Sequence, residues 1–156
     1  MEIKITILGE PYVKKNGVRH SMFYKDRNGR KVPREHPVTY YSEPYKEWAK
    51  KAIIACGDFK TKHHAEYEFP LDGKYNLKCL FYLDKDKKVD LTNLMEGIQD
   101  VLAGNPGIDV ADKSYYQILA DDSTRFIGSI DGSRVICLPS EPARVEVTIT
   151  DFKWTI

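Results

Sequence analysis

Asp90, Asp121 and Asp122 are the side chains whose type and placement could do chemistry. Carboxylate oxygens suit hard divalent cations such as Mg²⁺ or Mn²⁺, and an ion held by them can polarise a phosphate and turn a bound water into hydroxide. Asp90 stands at the mouth of a helix-patterned stretch, where it can cap free amides and feel the positive end of the helix dipole. Both effects favour the ionised form that a ligand needs. An ordinary N-cap occupies the same position, so a metal site requires a second acidic segment, and Asp121-Asp122 is the candidate. Adjacent strand residues face opposite ways, so one member of the doublet points at Asp90. Asp122 is the expected partner and Asp121 the second choice, with Thr92 and Asn93 offering neutral hydrogen bonds to water or phosphate. Asp100 is set aside, because ten residues of helix carry it roughly 15 Å along the axis from Asp90.

The elements that must position these groups follow from hydrophobic spacing. Within residues 86–102, Leu91, Leu94, Ile98, Val101 and Leu102 recur at helical intervals, which predicts an amphipathic helix starting at Asp90. An earlier helix is expected from Ser42, a good N-cap, through Pro44 and the stripe Tyr45, Trp48, Ala49, Ala52 and Cys56, with Gly57 as its stop. Alternation predicts strands around Ile3, Ile5 and Ile7, over 75–83, over 124–130, over 134–138, and around Val145, Val147 and Ile149. Asn28-Gly29 is a hairpin-turn signal, so 22–25 and a partner near 38–41 are expected to form either a ribbon or a mobile loop. Residues 105–117 form an insertion of loop or short helix. The order of elements predicts one α+β domain over 1–156, a mixed sheet of four or five strands carrying two principal helices.

Composition narrows the classes. The chain has 156 residues, 42% hydrophobic and 30% charged, the balance of an ordinary globular domain able to bury a core. No run is apolar enough to span a bilayer and the first twenty residues do not resemble a signal peptide, so a cytoplasmic location is expected. Cys56, Cys79 and Cys137 are odd in number and widely spaced, which suggests neither a disulfide frame nor a zinc site and reads as small core residues. The His63-His64 pair receives no function. The formal net charge of +1 conceals +7 over residues 1–89 and −6 over 90–156. One half could track phosphates and the other hold cations. In the basic half, Lys14, Lys15, Arg19, Lys25, Arg27, Arg30, Lys31 and Arg34 are interleaved with Tyr12, Phe23 and Tyr24, a mixture suited to backbone contact and stacking on exposed bases.

Lys87-Lys88, Asp90-Leu91-Thr92-Asn93-Leu94, Asp100-Val101-Leu102 and Asp121-Asp122 together resemble the RusA family of phage-type Holliday junction resolvases. The family carries a basic run, Asp-Leu-x-Asn-Leu at a helix start, an Asp-x-Leu further on and an acidic doublet. The resemblance implies a Mg²⁺-dependent endonuclease (Mn²⁺ also suits), a homodimer that nicks opposed strands of branched DNA symmetrically, in recombination and repair. It implies catalytic roles for Asp90, Asp121 and Asp122, and DNA contacts from Lys14, Lys15, Asn16, Arg19, Lys85, Lys87 and Lys88. Thr92 and Glu96 depart from it, standing where the family has aspartate and lysine. They lie four apart on one helix face, and Glu96 is expected to restore part of the charge lost at Thr92. The competing reading is a non-catalytic DNA-binding relative.

Overall fold

A computed structural model describes residues 1–14 and 19–154, and within them all side chains but those of Arg19, His20, Pro37, Val38 and Thr39. The expected α+β architecture is present. Strands β1 (Glu2–Leu8), β4 (Tyr75–Leu83), β5 (Ile127–Ser129), β6 (Arg134–Cys137) and β7 (Arg144–Asp151) form one five-stranded sheet, while β2 (Arg19–Lys25) and β3 (Lys31–Tyr40) form a separate ribbon. The large sheet runs β1-β7-β4, all antiparallel, and β5 and β6 share the far side of β4, both parallel to it. It is therefore mixed.

Alternation sends one face of each long strand inward. Ile3, Ile5, Ile7, Leu77, Cys79, Phe81, Val145, Val147 and Ile149 form one core with the buried stripes of helices α1 (Glu43–His63) and α2 (Leu91–Leu102). Both helices thus cover the same side of the sheet. Leu94, Ile98 and Leu102 are each no more than 1% exposed, and burial of this kind contributes about 1.5–3 kcal/mol per side chain. On the other side Arg144 lies 3.8 Å over the Tyr82 ring and pairs with Glu141 and Glu146.

Four expectations need correction. Helix α1 does not stop at Gly57 but continues to His63. A Cβ at Gly57 would sit 2.3 Å from the Tyr115 ring, so this glycine makes room for packing rather than ending a helix. The ribbon is closed at Asn28-Gly29 as expected, yet β3 already begins at Lys31, opposite Lys25. Asp26 fixes the turn by accepting from the amides of Asn28 and Arg30, both at 2.9 Å. The strand expected over 124–130 shrinks to Ile127–Ser129, because the carbonyl of Ser123 takes the amides of Phe126 and Ile127 in a turn. Cys56 and Cys79 are buried, but Cys137 is exposed. The 105–117 insertion contains one 3-10 turn, Lys113–Tyr115, capped by Asp112. Among the described residues no helix is long and apolar enough to cross a membrane.

Candidate carboxylate site on helix α2

Asp90 is the N-cap of α2. Its Oδ1 accepts from the Thr92 amide at 3.1 Å and from the Thr92 hydroxyl at 2.7 Å. Both residues are exposed, and Thr92 spends its hydroxyl on the cap. The next groups on that face, at the i+4 and i+8 positions, are Glu96 and Asp100, both half-buried.

The second acidic segment does not come to the helix mouth. Residues 117–120 are fastened to the C-terminal end of α2: the backbone amides of Ile118 and Leu119 both bond the Leu102 carbonyl, at 3.0 and 2.9 Å, and the buried Gln117 side chain donates from Nε2 to the Ala103 carbonyl at 3.1 Å. The doublet that follows is delivered to Asp100. Asp122 lies within hydrogen-bonding reach of the Asp100 carboxyl, while Asp121 turns aside to Ser123. The expected pairing of Asp122 with Asp90 is thus replaced by a pairing with Asp100, ten residues further along the helix and roughly 15 Å along its axis.

A Schellman turn organises this end of the helix. Gly104, at φ 84°, donates to Val101 at 3.1 Å, and Asn105 donates to the backbone carbonyl of Asp100 at 2.7 Å. The turn folds the Asn105 carbonyl back beside Asp100, where Lys14 meets both. Its Nζ lies 2.6 Å from Asp100 Oδ2, 3.2 Å from the Asn105 carbonyl and 5.2 Å from the Tyr41 ring centroid. The side chains of Lys14 and Asp100 are only 12% and 16% exposed, so the pair is partly desolvated and loss of either partner would leave a largely buried charge uncompensated. Tyr45 donates to the Pro106 carbonyl in the same loop.

The electrostatics follow from that crowding. Burial holds the Asp100 carboxyl above the ordinary carboxylate range; Lys14 opposes the rise and the neighbouring Asp122 adds to it. Burial, then the charge of Asp100, with Glu96 also contributing, pushes the Tyr45 phenol up. Asp121 moves the other way, held low chiefly by its hydrogen bond from Ser123. Half-buried Asp100 and exposed Asp122 place two carboxylates side by side, an arrangement that favours a cation between them. Their hard oxygens fit Mg²⁺ or Mn²⁺, and Glu96, one turn back, offers a further carboxylate on that face. Among the described residues no group of three or more potential ligands is already gathered around one point.

The cationic residues are unevenly disposed. Lys85 and Lys88 are exposed, whereas Lys87 is paired with Glu10. Lys14 belongs to the carboxylate site. Lys15 and Asn16 lie outside the described residues, as does the side chain of Arg19. On the ribbon, Lys31 Nζ sits 4.4 Å from the Phe23 ring centroid and Arg34 lies 5.7 Å from that of Tyr24. Sequence reasoning discounted Asp100 and missed its pairing with Lys14. The four-residue spacing of Thr92, Glu96 and Asp100 marks their shared face, but no spacing points to Lys14 or Asp122 as the partner of Asp100. No protein-family model matches this chain, and no curated protein matches it.

Proposed function

We propose that this chain is a divalent-metal-dependent endonuclease for branched DNA, as its RusA-like motifs imply, with Asp100 and Asp122 as the working carboxylates. The observation that carries the reading is the approach of exposed Asp122, from a distant segment, to the half-buried Asp100 carboxyl beside Lys14. Lys14 offsets one of the two carboxylates and like charges in contact still repel; a site that takes up a cation gains by keeping both. Asp100 and Asp122 would hold Mg²⁺ or Mn²⁺, with Glu96 nearby. When bound, the ion supplies polarisation of the scissile phosphate and an activated water.

The chain's own groups prepare that state. Lys14 neutralises Asp100 beforehand and, once displaced, is placed to meet a phosphate oxygen. Asp90 and Thr92 fix the start of α2 and thereby the face that carries Glu96 and Asp100. Exposed Lys85 and Lys88, together with the ribbon's Lys31 and Arg34, provide backbone contacts. A homodimer would set two such sites against the two-fold arms of a four-way junction.

One observation favours the alternative, a DNA-binding relative without catalysis: Lys14 already stands against Asp100, where a cation would go. A synthetic four-way junction incubated with and without Mg²⁺ separates the two. Paired nicks that require the ion support the nuclease. Retarded but intact junction DNA at every Mg²⁺ concentration supports the binding protein.

A further inference from the structure

Strand β1 is the free edge of the five-stranded sheet: it pairs with β7 and with no other strand among those described. Gly9 donates to the Ala143 carbonyl at 2.9 Å, one step beyond the register that pairs Leu8 with Arg144. In an antiparallel ladder hydrogen-bonded pairs alternate with non-bonded ones. Ile7, Ile5 and Ile3 therefore point their amides and carbonyls at β7, and Lys4, Thr6 and Leu8 point theirs away from the sheet. Those same three residues, with Ile5, form one wall of a hollow of about 740 Å³.

Helix α1 forms the other wall. Ile54, 56% exposed, lines it with Ala55 and Phe59, giving an apolar floor beside the unused backbone groups. Lys51 and Lys62 rim it with Lys4, which pairs with Glu2 at 3.2 Å, and Asp58 is the carboxylate of the lining, so the rim keeps a net positive charge. Exposed strand edges are normally blunted by charge or covered; this one carries Lys4 but, among the described residues, no covering strand, and it runs along an apolar shelf. A strand laid beside β1 would bond the three outward amides and carbonyls. Its alternate side chains would face Ile54 and Phe59, and the intervening ones would stand near Lys4.

We infer that the β1–α1 groove receives an extended peptide strand of another protein, apolar at alternate positions and acidic between them. The three rim lysines select the sign of the ligand. The same net positive rim makes a second copy of this chain the poorer ligand, since its three lysines would outnumber the Asp58 and Glu2 it brings with them. The site is separate from the carboxylates of α2 and does not depend on the proposed nuclease activity.

The probe is a short capped peptide alternating glutamate with valine and isoleucine, added to the full chain and followed by amide exchange and fluorescence anisotropy. Binding is expected to slow exchange at the Lys4, Thr6 and Leu8 amides and to leave Ile3, Ile5 and Ile7 unchanged. Alternate N-methylation of the peptide backbone, replacement of its glutamates by lysine, and Ile54→Asp in the protein should each weaken binding by roughly tenfold or more. Ile54 is exposed, so its replacement leaves the core intact. No protection at these amides at millimolar peptide, or equal binding of the lysine peptide, overturns the inference. Concentration-dependent protection of the same amides without peptide would assign the edge to self-association instead and equally overturn it.

Discussion

The two ends of helix α2 use the same residue type for different ends. At the N-terminus Asp90 is exposed, accepts two hydrogen bonds from Thr92 and meets the favourable pole of the helix dipole. Near the C-terminus Asp100 is half-buried, sits at the unfavourable pole, abuts Asp122 and depends on Lys14. A carboxylate at the first position stabilises the helix. At the second it is held in place by its surroundings, a common mark of a functional group.

Asparagine substitution should separate the two ends most sharply. Asp122→Asn and Asp100→Asn are each expected to lower Mg²⁺-dependent nicking by about 100-fold or more, since even second-shell changes at metal sites cost 10–100-fold. Asp90→Asn should leave nicking within a few-fold of wild type. Equal losses at all three positions would dissolve the contrast.

Lys14→Met tests the counter-charge. Removing a hydrogen-bonded cation from a partly buried carboxylate should cost about 2 kcal/mol in metal-free buffer. Millimolar Mg²⁺ should then raise the melting temperature of the variant more than that of wild type, because the ion replaces the missing charge. An identical Mg²⁺ response would mean that Lys14 and the ion do not compete.

At the helix mouth, Asp90→Ala should cost about 1 kcal/mol by denaturant titration, and Asp90→Asn only a few tenths, because asparagine caps as well as aspartate. The smallest effect is in pH. The Asp100 carboxyl is raised in the folded chain, so the native state binds its proton more tightly than the unfolded chain does. Its contribution to stability is fully present below the ordinary aspartate pKa and is lost as pH rises through the folded value. Lowering the pH through the carboxylate range should therefore favour wild type over Asp100→Asn in thermal melts. A difference independent of pH would contradict the raised carboxyl.

How much of this was legible depended on whether the cause was local. Helix α2 was readable because its cap, Asp90, and its stripe from Leu91 to Leu102 lie in one stretch. The core strands were readable because alternation is a property of consecutive residues. Gly57 misled because its reason, the Tyr115 ring, is far along the chain. The partner of Asp122 was hidden for the same reason. It is set by where the insertion docks, through Leu102 and Gln117, and no spacing rule spans that detour.

Gly57 has a consequence for the distant carboxylates. The Tyr115 ring occupies the notch that its missing side chain leaves in α1, and Lys60 grips the neighbouring Ser114 carbonyl at 2.5 Å. The insertion is therefore pegged into a helix that contributes no acid to the site, a few residues before the backbone reaches Asp122. The segment that carries Asp122 is thus moored twice, to the end of α2 through Leu102 and Gln117 and to the flank of α1 through Tyr115 and Ser114.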